Sequence, residues 1–198
     1  MKKKILLIVI ALMLVVTLLA LTACDNYSDT LQKINTLLDA DYSEVSVNVT
    51  TKLAGDYTLN GIYNLTIDED YTTIEYSYDR FNELSMDGNS DKYFETVSGK
   101  AIVKDGKVIE GDANEALPEV DFNGISFKEK FFSNYTVTNT KFDADVASTR
   151  GFLGNNTFTG SHMHVTVNFT AKSVTKLVIT YVSANGAEVN ITYLFTLR

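Results

Sequence analysis

The chain has 198 residues, of which 45% are hydrophobic and 21% are charged, and its formal net charge is −8. Acidic residues outnumber basic ones by 25 to 17, so the surface repels phosphate backbones and excludes nucleic acid as a natural partner. The single proline argues against a proline-rich stalk, and the single cysteine excludes an internal disulfide.

The first 23 residues have the composition of a secretory signal peptide. Three lysines at positions 2–4 precede an uncharged apolar run from Ile5 to Leu21, and Ala23 lies just before Cys24. The apolar run is shorter than the roughly 20 residues that a membrane-spanning helix needs. An uncleaved N-terminal anchor helix is the alternative interpretation.

The sequence Leu21-Thr22-Ala23-Cys24 resembles the lipobox of bacterial lipoproteins. The resemblance implies cleavage before Cys24 and a diacylglycerol thioether on its sulfur, with acyl chains such as palmitate. Residues 1–23 are then the signal peptide, and residues 24–27 are an acylated tether. Two or more acyl chains hold a protein firmly at a membrane. We therefore expect a cell-envelope protein anchored to the extracytoplasmic face of the cell membrane.

A helix is expected from about Ser28 to Ala40. Leu31, Ile34, Leu37 and Leu38 recur at helical spacing on one face of this segment. Ser28 or Asp29 can cap its first turn.

Two alternating runs follow the helix, with apolar residues at the odd positions of both 45–53 and 57–67. A three-residue loop at 54–56 is needed to pair odd with odd positions, which places Val47 opposite Tyr63. After a two-residue turn at Glu69-Asp70, apolar residues occur at even-numbered instead of odd-numbered positions.

The middle of the chain is less regular. A polar gap at 87–91 precedes a predicted strand at Lys92–Val97, and Ala101–Ile109 is predicted to be a hairpin turning at Asp105-Gly106. Residues 111–160 lack clear periodicity, although Asp145–Leu153 has a weak helical pattern that ends at Gly154.

The end of the chain is again strand-like, at Met163–Phe169 and in a closing hairpin around Asn185-Gly186. Such a dipeptide favours a two-residue turn, which would pair Val182 with Val189. The same register would put Leu177 and Ile179 on the opposite face.

Residues 28–198 are thus predicted to form a single, mainly β (α+β) domain. Seven to ten long antiparallel strands must twist and curl, which favours a curved sheet or half-barrel with the N-terminal helix on its concave face. This layout resembles the LolA, LolB and LppX half-barrel lipoproteins, and the resemblance implies that acyl chains can lie between the helix and the sheet. The candidate cavity-lining residues are Leu31, Ile34, Leu38, Tyr63, Tyr76 and Tyr193. Ordinary sheet packing of these side chains is the alternative.

Neither a metal site nor a catalytic motif is predicted from the sequence. His162 and His164 lie two apart in a predicted strand, and Asp143 or Asp145 could complete a metal site, but two ligands at this spacing are weak evidence and no metal is predicted. No G-x-S-x-G elbow, cysteine-rich metal motif or phosphate loop occurs, so neither enzymatic activity nor a cofactor is expected.

The expected function is therefore binding of a lipid or another hydrophobic molecule at the membrane surface. The alternative is a structural or protein-binding surface lipoprotein whose core is closed.

Overall fold

The computed structural model describes residues 27–54, 57–81, 94–105, 107–111, 124–155 and 157–198. These residues form one curved, open antiparallel sheet and two helices, α1 (27–38) and α2 (Thr149–Leu153). The ten strands are β1 (Tyr42–Lys52), β2 (Thr58–Ile67), β3 (Thr72–Phe81), β4 (Phe94–Lys104), β5 (Lys107–Glu110), β6 (Phe132–Val137), β7 (Lys141–Val146), β8 (Ser161–Phe169), β9 (Val174–Val182) and β10 (Glu188–Leu197).

The sheet consists of two meanders joined at their first and last strands. Its order is β5-β4-β3-β2-β1-β10-β9-β8-β7-β6, so β1 pairs with β10 at the centre. The predicted meander order holds within each half. It does not hold between them, because the chain passes from β5 at one edge to β6 at the other.

The register predicted for the first hairpin is confirmed. Val47 faces Tyr63, and Leu53 donates its N–H to the Tyr57 carbonyl at 2.8 Å across the loop. The following turn is also confirmed, because Asp68 donates its N–H to the Tyr71 carbonyl at 2.9 Å. These two registers keep the apolar side chains of β1, β2 and β3 on one face of the sheet.

The register predicted for the closing hairpin is wrong by one residue. Val189 pairs with Tyr181 rather than Val182, and the loop contains three residues, 184–186, between Ser183 and Ala187. Gly186 has φ +83°, as the last residue of a three-residue loop requires. Because a one-residue slip reverses every side chain, Leu177 and Ile179 lie in the core with no exposed surface.

The middle of the chain contains two strands that were not predicted, β6 and β7. Asp145 belongs to β7, so the helix predicted from this residue is limited to α2, although it does end at Gly154 in the left-handed conformation. The strand predicted at Lys92–Val97 belongs to a longer strand, β4, which extends to Lys104. The hairpin predicted within Ala101–Ile109 is confirmed, because β4 pairs with β5 there. The polar gap at 87–91 and Pro118 lie outside the described residues.

Helix α1 packs on the same sheet face as the main core. Leu31 and Ile34 are buried there with side chains of both meanders, including Val47, Phe142 and Tyr193. This confirms the apolar stripe predicted for the helix.

Two polar contacts fix α1 to the rest of the molecule. The Asn35 side-chain amide donates to the Phe127 carbonyl at 2.8 Å and accepts the Phe127 N–H at 2.9 Å. The buried Tyr42 hydroxyl donates to the Leu37 carbonyl at 2.6 Å and accepts the Val174 N–H at 2.9 Å. Both contacts satisfy backbone groups that would otherwise lose hydrogen bonds on burial.

Candidate functional site

The six side chains predicted to line a cavity do not form one site. Leu31, Ile34 and Tyr193 are 2%, 0% and 0% exposed in the main core, and Leu38 is partly buried at its margin. Tyr76 belongs to a second apolar cluster on β2–β5, while Tyr63 packs against both clusters. The prediction therefore combined core residues with residues of a different surface.

The core beneath α1 is filled with aromatic rings. Phe127 packs edge-on against Phe142 and Phe152, with ring centroids 5.8 and 5.3 Å apart, and Phe132 packs edge-on against the same two rings at 5.2 and 5.4 Å. These separations are typical of close aromatic packing. The aromatic side chains beneath α1 are thus in direct contact with one another and belong to one buried cluster.

The second cluster is less covered. We call the inward-facing side chains Tyr63, Tyr76, Tyr78, Val97 and Val103 the tyrosine face. Tyr76 is 9% exposed, whereas the other four are only partly buried. Every described member of this cluster belongs to a strand, so no described helix contributes to it.

The geometry of the tyrosine face depends on glycine. Tyr63 pairs with Tyr76 across β2 and β3, and its ring lies nearly parallel to that of Tyr78, with centroids 6.3 Å apart. The Tyr76 ring lies over Gly99, where an added Cβ would overlap its hydroxyl. Gly99 therefore lets the ring lie flat along the sheet, which produces a broad apolar surface.

The two histidines do not form the chelating pair that their spacing suggested. His162 has φ +51°, and the β8–β9 register shifts between Ser161 and His164, so the regular strand alternation is interrupted. His164 lies between two carboxylates of β7: its Nδ1 is 2.9 Å from Asp145 and its Nε2 is 3.0 Å from Asp143.

This arrangement is a network of polar contacts across β7 and β8. Lys141 Nζ lies 2.7 Å from Asp143, and its hydrogen bond is the main reason that the pKa of Asp143 is lowered, with Thr166 contributing. The His164 side chain is the main cause of the lowered pKa of Asp145. Both imidazole nitrogens are engaged, and no metal-binding cluster occurs among the described residues.

An aromatic cleft lies at the end of the sheet where the β1–β2 and β9–β10 loops meet. Its volume is about 450 Å³, and Tyr57 and Phe81 expose 51% and 56% of their surface beside it. The Phe94 ring contacts both, with centroids 5.4 and 5.0 Å away. We define the aromatic cleft by its lining residues Leu53, Ala54, Tyr57, Phe81, Phe94 and Asn185.

Sequence reasoning did not identify this cleft. Phe81 and Phe94 pair directly across β3 and β4. The sequence feature that could have indicated the cleft is the position of these two phenylalanines. Each is a large apolar residue at a boundary of the polar segment between β3 and β4. Such positions normally favour solvent-compatible side chains, so exposed phenylalanines there indicate a contact surface.

Cys24, the predicted acylation site, lies outside the described residues. Within the described segments, no helix is both long and apolar enough to cross a membrane.

No protein-family model matches this chain, and no curated protein matches it either.

Proposed function

We propose that this protein is a lipoprotein, anchored through Cys24 at the extracytoplasmic face of the cell membrane, that binds a lipid or another hydrophobic molecule. One observation carries the ligand proposal: the tyrosine face is a partly exposed apolar surface beside a core that is already filled. The side chains beneath α1 are fully buried, so the ligand lies on β2–β4 rather than under the helix.

The proposal includes a half-barrel layout with α1 on the concave side. It is supported by the contacts of α1, whose buried residues share one cluster with β1, β7 and β10. A sheet that curves around α1 also brings its less covered half, β2–β5, toward the same space. A ligand held there would rest on the sheet at the margin of the helix.

The chemistry of the tyrosine face suits an acyl chain. Aliphatic side chains and ring faces supply apolar contact area, while tyrosine hydroxyls provide polar groups at the edge of that area. The outer side of the same strands is polar, with hydrogen bonds such as Ser98 to Ser77 at 2.9 Å and an ion pair between Lys100 and Glu75. The inner side of these strands therefore offers the broader apolar surface for a hydrophobic ligand.

A charge placed on the tyrosine face tests the ligand proposal. Val97→Lys should reduce binding of a fluorescent fatty acid at least tenfold, because a buried acyl chain would contact an ammonium group. Ile62→Lys is the matched control, since Ile62 is a β-branched residue on the outer side, 46% exposed, and its change should leave binding unaltered. Equal binding by wild type and both variants, or no binding by wild type, would refute the proposal.

The anchor is tested separately. Cys24→Ser should abolish incorporation of radiolabelled palmitate and leave the chain unprocessed or released from the membrane. Palmitate incorporation equal to that of wild type would contradict the lipoprotein assignment.

A second candidate function is protein binding, with the filled core serving only stability. The aromatic cleft favours it, because exposed aromatic rings are the side chains that dominate protein interfaces. Phe81→Ser should then weaken a partner complex, whereas Ile109→Ser, at a residue that is 62% exposed on β5, should not. Retained fatty-acid binding in Phe81→Ser would separate this function from the first.

A further inference from the structure

The charges of the chain are divided unevenly between the two meanders. Residues 132–197, which span β6–β10, contain four basic and three acidic side chains, although the whole chain has a net charge of −8. The second meander is therefore close to neutral, and the rest of the chain carries the acidic excess. A field of this kind orients a protein at a charged surface.

Three lysines of the second meander and one lysine of α1 are located at one end of the sheet. Lys141 pairs with Asn168 across β7 and β8, and Asn168 pairs in turn with Lys176 of β9. Lys172 lies in the turn between these last two strands, and Lys33 of α1 lies 4.9 Å above the Phe169 ring at their end. We call Lys33, Lys141, Lys172 and Lys176 the lysine end.

Apolar groups are exposed at the same end. Tyr135 is 45% exposed, Leu194, which pairs with Lys176, is 42% exposed, and Leu197 is 37% exposed. A groove of about 490 Å³ separates α1 from the β6–β7 turn, with Lys33, Tyr135 and Phe169 in its wall. Lysines beside tyrosine and leucine are the composition of proteins that contact a lipid–water interface.

The first residue of α1, Tyr27, lies at this end. The Tyr27 ring stacks on Tyr135 with centroids 3.8 Å apart and planes inclined by 7°. Cys24 precedes Tyr27 by three residues, and a fully extended chain of that length spans about 10 Å. An acyl group on Cys24 would therefore enter the membrane next to the lysine end.

We propose that the lysine end docks on the anionic phospholipid headgroups of the membrane in which Cys24 is anchored. This inference rests on the proposed acylation but not on ligand binding at the tyrosine face. The acidic β2–β3 turn, 68–70, lies at the same end of the first meander and is repelled by such a surface. The domain therefore tilts, with β7–β9 toward the headgroups and the aromatic cleft, at the other end of the strands, away from them.

Amine labelling of the full-length acylated protein on vesicles tests this orientation. The vesicles contain either phosphatidylcholine alone or phosphatidylcholine with about one third phosphatidylglycerol, and a membrane-impermeant acetylating reagent is added. On the anionic vesicles, Lys33, Lys172 and Lys176 should react at least fivefold more slowly than on neutral ones, since each lysine near an anionic surface gains about a fivefold preference for it. Lys128 and Lys130, at the opposite end of the same meander, are the matched reference and should react equally on both.

A charge-reversed variant and added salt complete the test. Lys172→Glu with Lys176→Glu should remove the protection of Lys33, whereas Lys130→Glu should not, and about 0.5 M salt should remove the protection in wild type. Protein that sediments with both kinds of vesicle but shows equal labelling on them would overturn the docking proposal alone. Protein that sediments with neither would show that the anchor itself is missing.

Discussion

Replacing Ile34 with alanine tests whether the space beneath α1 is closed. Ile34 lies in the middle of the apolar stripe of the helix, is 0% exposed, and belongs to the main core cluster. The change removes three carbon atoms from a position that has no contact with solvent. It leaves the helix propensity of the segment intact, because alanine is the best helix former.

The expected loss of stability follows from this burial. Three methylene equivalents are worth about 2.4 kcal/mol of transfer free energy, and the cavity left behind adds to this, so the total should be about 2–5 kcal/mol. For a domain of this size, the melting temperature should fall by roughly 5–15 °C. Gln32→Ala, at an exposed position of the same helix, should change the free energy of unfolding by less than about 0.5 kcal/mol.

Urea unfolding followed by far-ultraviolet circular dichroism measures both variants. The transition midpoint of Ile34→Ala should fall while the slope with urea concentration stays as in wild type. A loss below about 1 kcal/mol would mean that Ile34 borders an open space, and the ligand site would then have to be moved from the tyrosine face to the helix.

Three further predictions concern polar groups. Tyr42→Phe should lower the free energy of unfolding by about 2–4 kcal/mol, because the Leu37 carbonyl and the Val174 N–H both lose a buried partner, and a loss below 0.5 kcal/mol in urea unfolding would contradict this. The folded-state pKa values of Asp143 and Asp145 are lowered, so their contribution to stability is present above the ordinary carboxyl pKa near 4 and is lost as the pH falls through the folded values. His164→Ala should therefore flatten the fall in melting temperature that wild type shows below about pH 5. An unchanged pH profile would refute this. Added zinc should leave the melting temperature within about one degree, because both nitrogens of His164 face carboxylates, and a rise that His164→Ala abolishes would show a metal site.

The helix and the first three strands were predictable because hydrophobic periodicity and loop length agreed there. The last hairpin was not, since Asn185-Gly186 favours a two-residue turn, whereas the structure uses Gly186 as the left-handed residue of a longer loop. Pairing odd with odd positions, as in the first hairpin, would have given the observed register of Tyr181 with Val189. The side-chain pattern was therefore a better guide than the turn dipeptide.

The second meander was obscured by local irregularity. In β7, Phe142, Ala144 and Val146 alternate with aspartates, but the alanine is a weak hydrophobic signal. In β6, Asn134 has φ +48° and the register with β7 shifts, so an edge strand with mostly exposed side chains shows no alternation. Edge strands are often irregular in this way because a bulge discourages pairing with other chains.

The candidate site was predictable only in part. The alternation pattern indicates that Tyr63 and Tyr76 share a face, and they do. It contains no information on which part of that face the helix covers, so Tyr193 was assigned to the same surface although it is fully buried. Coverage depends on contacts between distant segments, such as that of Asn35 with Phe127, which no local pattern predicts.

The pairing of β1 with β10 has a consequence for how the chain matures. A chain synthesised from its N-terminus presents β1 with one unpaired edge until β10 has been made. The two meanders have mainly local contacts and can form early, whereas the central ladder joins residues about 150 positions apart and must form late. A chain cut short before β10 would keep two apolar half-sheets with open inner edges, on β1 and β9, that invite pairing with other molecules. Pairing of β10 with β1 is therefore the step that joins two aggregation-prone halves into one continuous ten-stranded sheet.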